Sequence, residues 1–464
     1  MNFKLILSAV VLFCLISLQA AVFKLEYSLN NNSAVYKAGE KIVFTIRLLE
    51  NGRMPADKKI SYQLWHDRRV IKKDTVSASE ELVVETSSET PGWIYIKFRA
   101  ENGSGREIRQ QVKRSGRTAA AAVSGSIGAM VEPEKLLPFL EEPADFDAFW
   151  NRVKAELAAV PLKELQKTLV AKDEVGVFDI KVSCAGDKPV SGYLCMPGGA
   201  KKKGCPAYVS FHGSGVRSAR KNVWMAKRGV IALDINAHGI ENGKPREFYR
   251  DLHKNHYYKT LDKFRRTRYA VWNRHDRDLY YFKGVYMRVM RALEYVKSLP
   301  EWDGKHLIVA GASQGGAQVL AACALDKDVT FARAGVPALC DHSGCLANRR
   351  SGWPDLYTRE EYRKNPEYQK CASYYDGAYF AKRIRCPIYM YTGFVDEICP
   401  PTTVFAAYNS IPAGVKKYMQ TTPDGGHTVP GDQAAAALDA YINSITPANA
   451  HQNEKTSKLS LTLL

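Results

Sequence analysis

The chain has 464 residues, 45% hydrophobic and 25% charged, a composition that excludes a fibrous or disordered polymer and allows two or three globular domains. At that length a core can be buried without help from metals or disulfides. The net charge of +18 suits an acidic partner, but no nucleic-acid recognition motif accompanies it, and we expect no nucleic-acid role.

Lys4 precedes an apolar run from Leu5 to Leu18, and Ala20-Ala21 offers small residues for cleavage. The run falls short of the ~20 residues that a membrane span needs. Residues 1–21 therefore read as a cleaved signal peptide, and the mature protein as secreted or periplasmic, with no membrane span. Removing Cys14 from the ten cysteines leaves nine, an odd number without a tight CxxC pair. That count argues against a full disulfide framework and against a zinc site. Cys184 with Cys195, and Cys340 with Cys345, are the pairs close enough to consider; small buried hydrophobes are the plainer reading.

Residues 22–113 alternate like strands: Ile42, Phe44, Ile46 and Leu48 on one face, then Ile94, Ile96 and Phe98. Turn signals such as Asn51-Gly52 and Pro91-Gly92 separate the runs, which predicts an immunoglobulin-like sandwich acting as a spacer, a packing surface or a glycan contact. Residues 114–131, rich in Ala, Gly and Ser, read as a linker.

Residues 132–446 read as an α/β unit. The amphipathic stretch Asp145 to Val160 opens it. From Val177 onward strands alternate with helices, as a mostly parallel sheet with helices on both faces requires. Phe178 to Met196 is expected as a hairpin. Ala207–Phe211, Val230–Asp234, Leu307–Gly311, Cys386–Gly393 and Lys417–Thr421 are expected as strands, with a closing helix over Gln433–Ile445. Residues 447–464 read as a polar tail. Between Arg246 and Arg277, basic residues interleave with tyrosines; a solvated surface or subunit contact is the plainer reading, steering of an acidic polysaccharide the functional one.

Gly311-Ala312-Ser313-Gln314-Gly315 fits G-x-S-x-G between a predicted strand and a predicted helix, the setting of a nucleophile elbow. A serine hydroxyl needs a base beside it. The order that goes with this elbow is Ser, acid, His, which selects Asp396 after a strand end and His427 after the next strand. Glu397 is the local rival for the acid and Asp424 a weaker one. Oxyanion donors are expected from the backbone N–H of Gln314 and of Ser214, with Gly213 as rival for the latter. His212 reads as structural. Metal-ligand spacing and nucleotide-binding glycine patterns do not occur, so neither a metal nor a cofactor is expected.

With these residues placed, the chain resembles the acetyl xylan esterase and cephalosporin-C deacetylase group, carbohydrate esterase family seven, a branch of the α/β-hydrolase fold. The resemblance rests on Asp145-Phe146-Asp147-Ala148-Phe149-Trp150, Pro300-Glu301-Trp302-Asp303-Gly304, Gly311 to Gly316, Ala334-Gly335-Val336-Pro337 and Cys399 to Asn409. It implies removal of acetyl groups from acetylated xylan or related oligosaccharides through Ser313, Asp396 and His427, and a tendency to form compact homo-oligomers. Two departures bear on the pocket: Ala237-His238-Gly239 where the family carries Arg-Gly-Gln, and His427-Thr428 where it carries His-Glu. A serine peptidase of the same fold, or an inactive glycan-binding protein with a relic triad, are the alternative readings.

Overall fold

The structure, a computed structural model, describes residues 21–114, 117–258 and 268–446. Residues 1–20 of the expected signal peptide 1–21 and the whole of the tail 447–464 lie outside the described residues.

Alternation along the N-terminal strands puts one face of each into a shared core. Phe23–Leu29, Ile42–Glu50 and Leu82–Thr86 form a three-stranded sheet. Opposite it lies a five-stranded sheet in the order Val35–Tyr36, Ser124–Val131, Gly92–Asn102, Lys58–His66 and Arg69–Ser77. Phe44, Ile46 and Leu48 of the first meet Ile60, Leu64, Ile94, Ile96 and Ile127 of the second in one apolar cluster. Two sheets closing over such a core make a sandwich.

The stretch 114–131, expected as a linker, is not one. It contains the strands Arg117–Ala122 and Ser124–Val131, and the second pairs with Gly92–Asn102 along its whole length. Its small residues serve close approach rather than flexibility. A Cβ on Gly128 would lie 2.0 Å from the Phe394 carbonyl oxygen, so only glycine fits.

The remainder is an α/β-hydrolase-type fold. Nine strands form one sheet, in the order Glu164–Lys172, Val175–Val182, Val190–Pro197, Ile231–Ile235, Cys205–Phe211, Trp302–Ala312, Phe331–Gly335, Ile388–Gly393 and Lys417–Thr422. The first three pairings are antiparallel and the last five parallel. Parallel neighbours need crossovers, and the helices Tyr281–Ser298, Gln314–Leu325, Pro401–Ser410 and Asp432–Ile445 lie between or after these strands. Apolar clusters cover both faces of the sheet. Helix Phe146–Ala158 buries Phe146, Phe149, Trp150, Val153 and Leu157 against one of them. Carboxyl ends of the parallel strands therefore converge on one edge, where such sheets carry their sites.

Candidate active site

Ser313 sits at the turn between strand Trp302–Ala312 and helix Gln314–Leu325, with φ 59° and ψ −124°. A positive φ at a non-glycine residue is strained, and the surroundings hold it: Ser313 N donates to Gly335 O at 2.9 Å, and Ala338 N donates to Ser313 O at 3.0 Å. The turn packs so tightly that a Cβ at Gly315 would stand 2.1 Å from Phe211 O. This is the physical content of the glycines in the pattern: the helix start rides directly on the neighbouring strand.

Asp396 follows strand Ile388–Gly393 and is fully buried. Its Oδ1 accepts the N–H groups of Ile398 at 2.8 Å and Cys399 at 3.0 Å, which fixes the carboxylate plane. Its Oδ2 lies 2.8 Å from His427 Nδ1, and His427 Nε2 lies 2.9 Å from Ser313 Oγ. The three side chains form one hydrogen-bonded chain, although they are drawn from three strand ends.

Both rival acids are turned elsewhere. Glu397 is held by Tyr95, Lys97 and Arg350, which lie on the sandwich side of the loop and on a neighbouring loop. Burial alone would raise its pKa, but these donors carry it below the usual value. Asp424 is exposed and its carboxylate lies 3.4 Å from Tyr27 Oη. Cys399 Sγ comes within 4.8 Å of the ligand atoms of Asp396 and His427, but burial and the nearby Asp396 charge push its thiol well up, so it stays protonated.

The loop after strand Cys205–Phe211 borders the serine: a Cβ at Gly213 would lie 3.5 Å from Ser313 Cβ. Gln314 is fully buried, and its Oε1 accepts from the Tyr269 hydroxyl. His212 is buried and its ring contacts the loop itself, as a structural histidine would. His238, in the stretch that departs from the family pattern, is buried beside Tyr257 and Tyr269, with Nδ1 2.6 Å from Tyr281 Oη. Tyr257 and Tyr269, drawn from the basic, tyrosine-rich segment, are thus core residues rather than a surface; residues 259–267 lie outside the described part. Beside the acid loop a cleft of about 420 Å³ opens between Arg68, Arg268, Arg350, Trp353, Asp355 and Ile398.

The sequence did not disclose Tyr269 as a support of this site, and it offered Gly335 only within the Ala334 to Pro337 stretch of the family resemblance, without the role of its carbonyl. Only tertiary pairing brings them to the serine turn.

The family described as acetyl xylan esterase (AXE1) matches residues 133–441, well over half of the chain. The chain belongs to that family. It is a carboxylic ester hydrolase by membership. It is 30% identical over 407 residues to acetyl esterase Axe7A of Xylanibacter ruminicola, covering 86% of this chain and 85% of that protein, so the likeness takes in the sandwich as well. An acetyl xylan esterase of a Paenibacillus species superposes with TM-score 0.57 at 27% identity, covering 68% of this chain and 98% of the other. Acetyl xylan esterase 1 of a Thermoanaerobacterium species gives TM-score 0.56 at 22% identity, over 67% of this chain and 97% of its own, and shares the fold. These two solved esterases have no counterpart for about a third of this family member.

Proposed function

We propose that this esterase removes acetyl groups from acetylated xylan or related oligosaccharides by a serine mechanism, after export to the cell exterior or periplasm. The observation that carries the reading is the single imidazole of His427, in contact with the Ser313 hydroxyl on one nitrogen and the Asp396 carboxylate on the other.

Ser313 Oγ attacks the acetyl carbonyl carbon while its proton passes to His427 Nε2. Asp396 stabilises the imidazolium that forms and fixes which nitrogen is free to act. Charge that develops on the carbonyl oxygen is met by the N–H of Gln314 at the helix start and of Ser214. The tetrahedral adduct collapses, the C–O bond to the sugar breaks, and the sugar oxygen takes the proton from His427. An acetyl-serine remains. Water, deprotonated by His427, then releases acetate and restores Ser313. The relatives' names supply the acetyl ester and, for two of them, the xylan. The leader-like residues 1–21 support export, and no helix among the described residues is long and apolar enough to cross a membrane.

The test is acetate release from acetylated xylan, run beside a folded Ser313→Ala variant. Release that disappears in the variant supports the reading. Hydrolysis of an aryl acetate without release from xylan sinks the xylan assignment; activity that survives in Ser313→Ala sinks the serine mechanism. N-terminal sequencing of the protein recovered from the native cell exterior tests the export step.

A further inference from the structure

The sandwich is joined to the hydrolytic domain at the two loops that carry Asp396 and His427. Strand Gly92–Asn102 turns Ile94, Ile96 and Phe98 into the sandwich core, and Trp93, Tyr95 and Lys97 toward the hydrolase. Trp93 is fully buried and its Nε1 donates to Phe394 O at 2.6 Å, two residues before Asp396. Tyr95 Oη donates to Glu397 Oε1 at 3.1 Å, and Lys97 pairs with the same carboxylate, one residue after Asp396. From the adjacent strand, Gly128 N donates to Pro423 O at 2.8 Å, four residues before His427. The two loops are themselves cross-tied, Phe394 N to Thr422 O and Val395 N to Gly425 O, each at 2.9 Å. Trp93, Tyr95 and Met130 share an apolar cluster with Phe394 and Phe405.

The family match begins at residue 133, so every one of these sandwich groups lies outside it. A domain that merely rode along would need no hydrogen bonds to the Phe394 carbonyl ahead of Asp396, to the Glu397 side chain behind it and to the Pro423 carbonyl ahead of His427. Its contacts would fall anywhere on the surface; these fall within four residues of two proposed triad members.

We propose that the sandwich is a positioning element of the hydrolytic site, with Trp93 and Glu397 as its positioning residues. Trp93 anchors the backbone ahead of Asp396. The Tyr95, Lys97 and Arg350 groups anchor Glu397 behind it, and Gly128 fixes the entry to the His427 loop. The carboxylate is thereby held at the imidazole, and small misplacement of reacting groups is costly to rate. The inference rests on the triad reading given above.

Trp93→Phe keeps the ring stacked on Tyr95, whose centroid is 4.0 Å away, and deletes the one bond to Phe394 O. Glu397→Gln removes the charge that Lys97 and Arg350 hold while leaving the sandwich core untouched. In the full-length chain, with an aryl acetate as substrate and thermal melts to show folding, each variant is expected to lower kcat about tenfold with KM within about twofold. The rate at which an organophosphate labels Ser313 should fall in parallel, because that reaction also depends on the Asp396–His427 pair. Glu397→Gln carries the test if Trp93→Phe does not fold. Folded variants with wild-type kcat and labelling rate overturn the proposal. So does a rise in KM alone, which would make the sandwich a substrate contact instead. Retained activity in Ser313→Ala would overturn the triad reading and the proposal with it, whereas wild-type kinetics in the two sandwich-contact variants overturn the proposal alone.

Discussion

His212 Nδ1 lies 2.6 Å from the carbonyl oxygen of Gly213, and its Nε2 accepts the N–H of Ala237 at 3.4 Å. The second contact makes Nε2 the acceptor, so Nδ1 carries the proton and donates to Gly213 O. A trans peptide sets its C=O and N–H pointing opposite ways. Holding the Gly213 carbonyl therefore fixes the opposite direction of the Ser214 N–H, the group proposed above as the second oxyanion donor. Replacing His212 with Ala is expected to lower kcat about 10- to 100-fold with little change in KM, somewhat less than outright loss of an oxyanion donor. His212→Asn, whose amide nitrogen overlays Nδ1, should recover much of that loss. Steady-state kinetics on an aryl acetate decide it; equal rates in all three proteins would remove His212 from the argument.

The same histidine gives a pH signature. Burial pushes His212 down to about 4 from an ordinary value near 6.5. Between those values the unfolded chain binds the proton and the folded one does not, so stability falls with falling pH. The contribution is complete above about 6.5 and is lost progressively down to about 4. Asp67 and Asp234, raised to about 6, and Asp341, raised to about 7, tilt the opposite way over an overlapping range. Comparing melting temperatures of His212→Asn and wild type across pH 4 to 8 cancels those terms, and the variant is expected to lose less stability on acidification.

Where the geometry is local, the residues announced it. A strained serine between strand and helix needs glycines on either side, and order along the chain then selected Asp396 and His427. Strands such as Cys205–Phe211 and Ile231–Ile235 were legible because both their faces are buried. The strand Ser124–Val131 was not legible. Gly125, Gly128 and the neighbouring serines look like a flexible tether, and only the Phe98 ring and the Phe394 carbonyl lying against those glycines explain them. Phe331–Gly335 was missed for a similar reason: Phe-Ala-Arg-Ala-Gly has no alternation, yet it sits between two parallel strands. Tertiary pairing, absent from any short window, made both.

Asp396→Asn should be far more damaging than its near-identity of shape suggests. With the amide oxygen still accepting from Ile398 and Cys399, the amide nitrogen would face His427 Nδ1. That arrangement makes Nδ1 the acceptor and puts the proton on Nε2, where the base must be free. A loss in kcat of about 10³- to 10⁴-fold is expected, the scale on which a wrong imidazole tautomer acts in serine hydrolases. A melting temperature close to wild type would show that the loss is chemical. A loss under about tenfold would argue that Asp396 is not the orienting acid.

All nine described cysteines are buried and free, including Cys184 with Cys195 and Cys340 with Cys345, the pairs that spacing made worth considering. Cys323 and Cys386 approach to 3.8 Å as a thiol contact. Burial keeps a reagent from all nine and disfavours most of the thiolates; Cys386, which the Cys323 contact holds below its ordinary value, is protected by its burial alone. A chromogenic disulfide reagent is therefore expected to find no reactive thiol in the native protein and all nine after denaturation. A reductant should leave the melting temperature unchanged. A fall on reduction would show a disulfide in the folded protein and overturn the free-thiol reading.

The cleft beside the acid loop is lined by three arginines with different partners. Arg350 is held by Glu397 and Tyr95, and Arg268 donates to Pro354 O, whereas Arg68 is exposed on the sandwich turn between Lys58–His66 and Arg69–Ser77. A guanidinium presents several donors in a fixed fork, suited to sugar hydroxyls or a carboxylate on the glycan. An aryl acetate reaches only the acyl site, while an acetylated oligosaccharide extends into its surroundings. Arg68→Ser is expected to raise KM several-fold on acetylated xylo-oligosaccharides and to leave kcat/KM on the aryl acetate unchanged. Should both substrates respond alike, Arg68 supports the fold of the junction; should neither respond, the glycan leaves the site by another path.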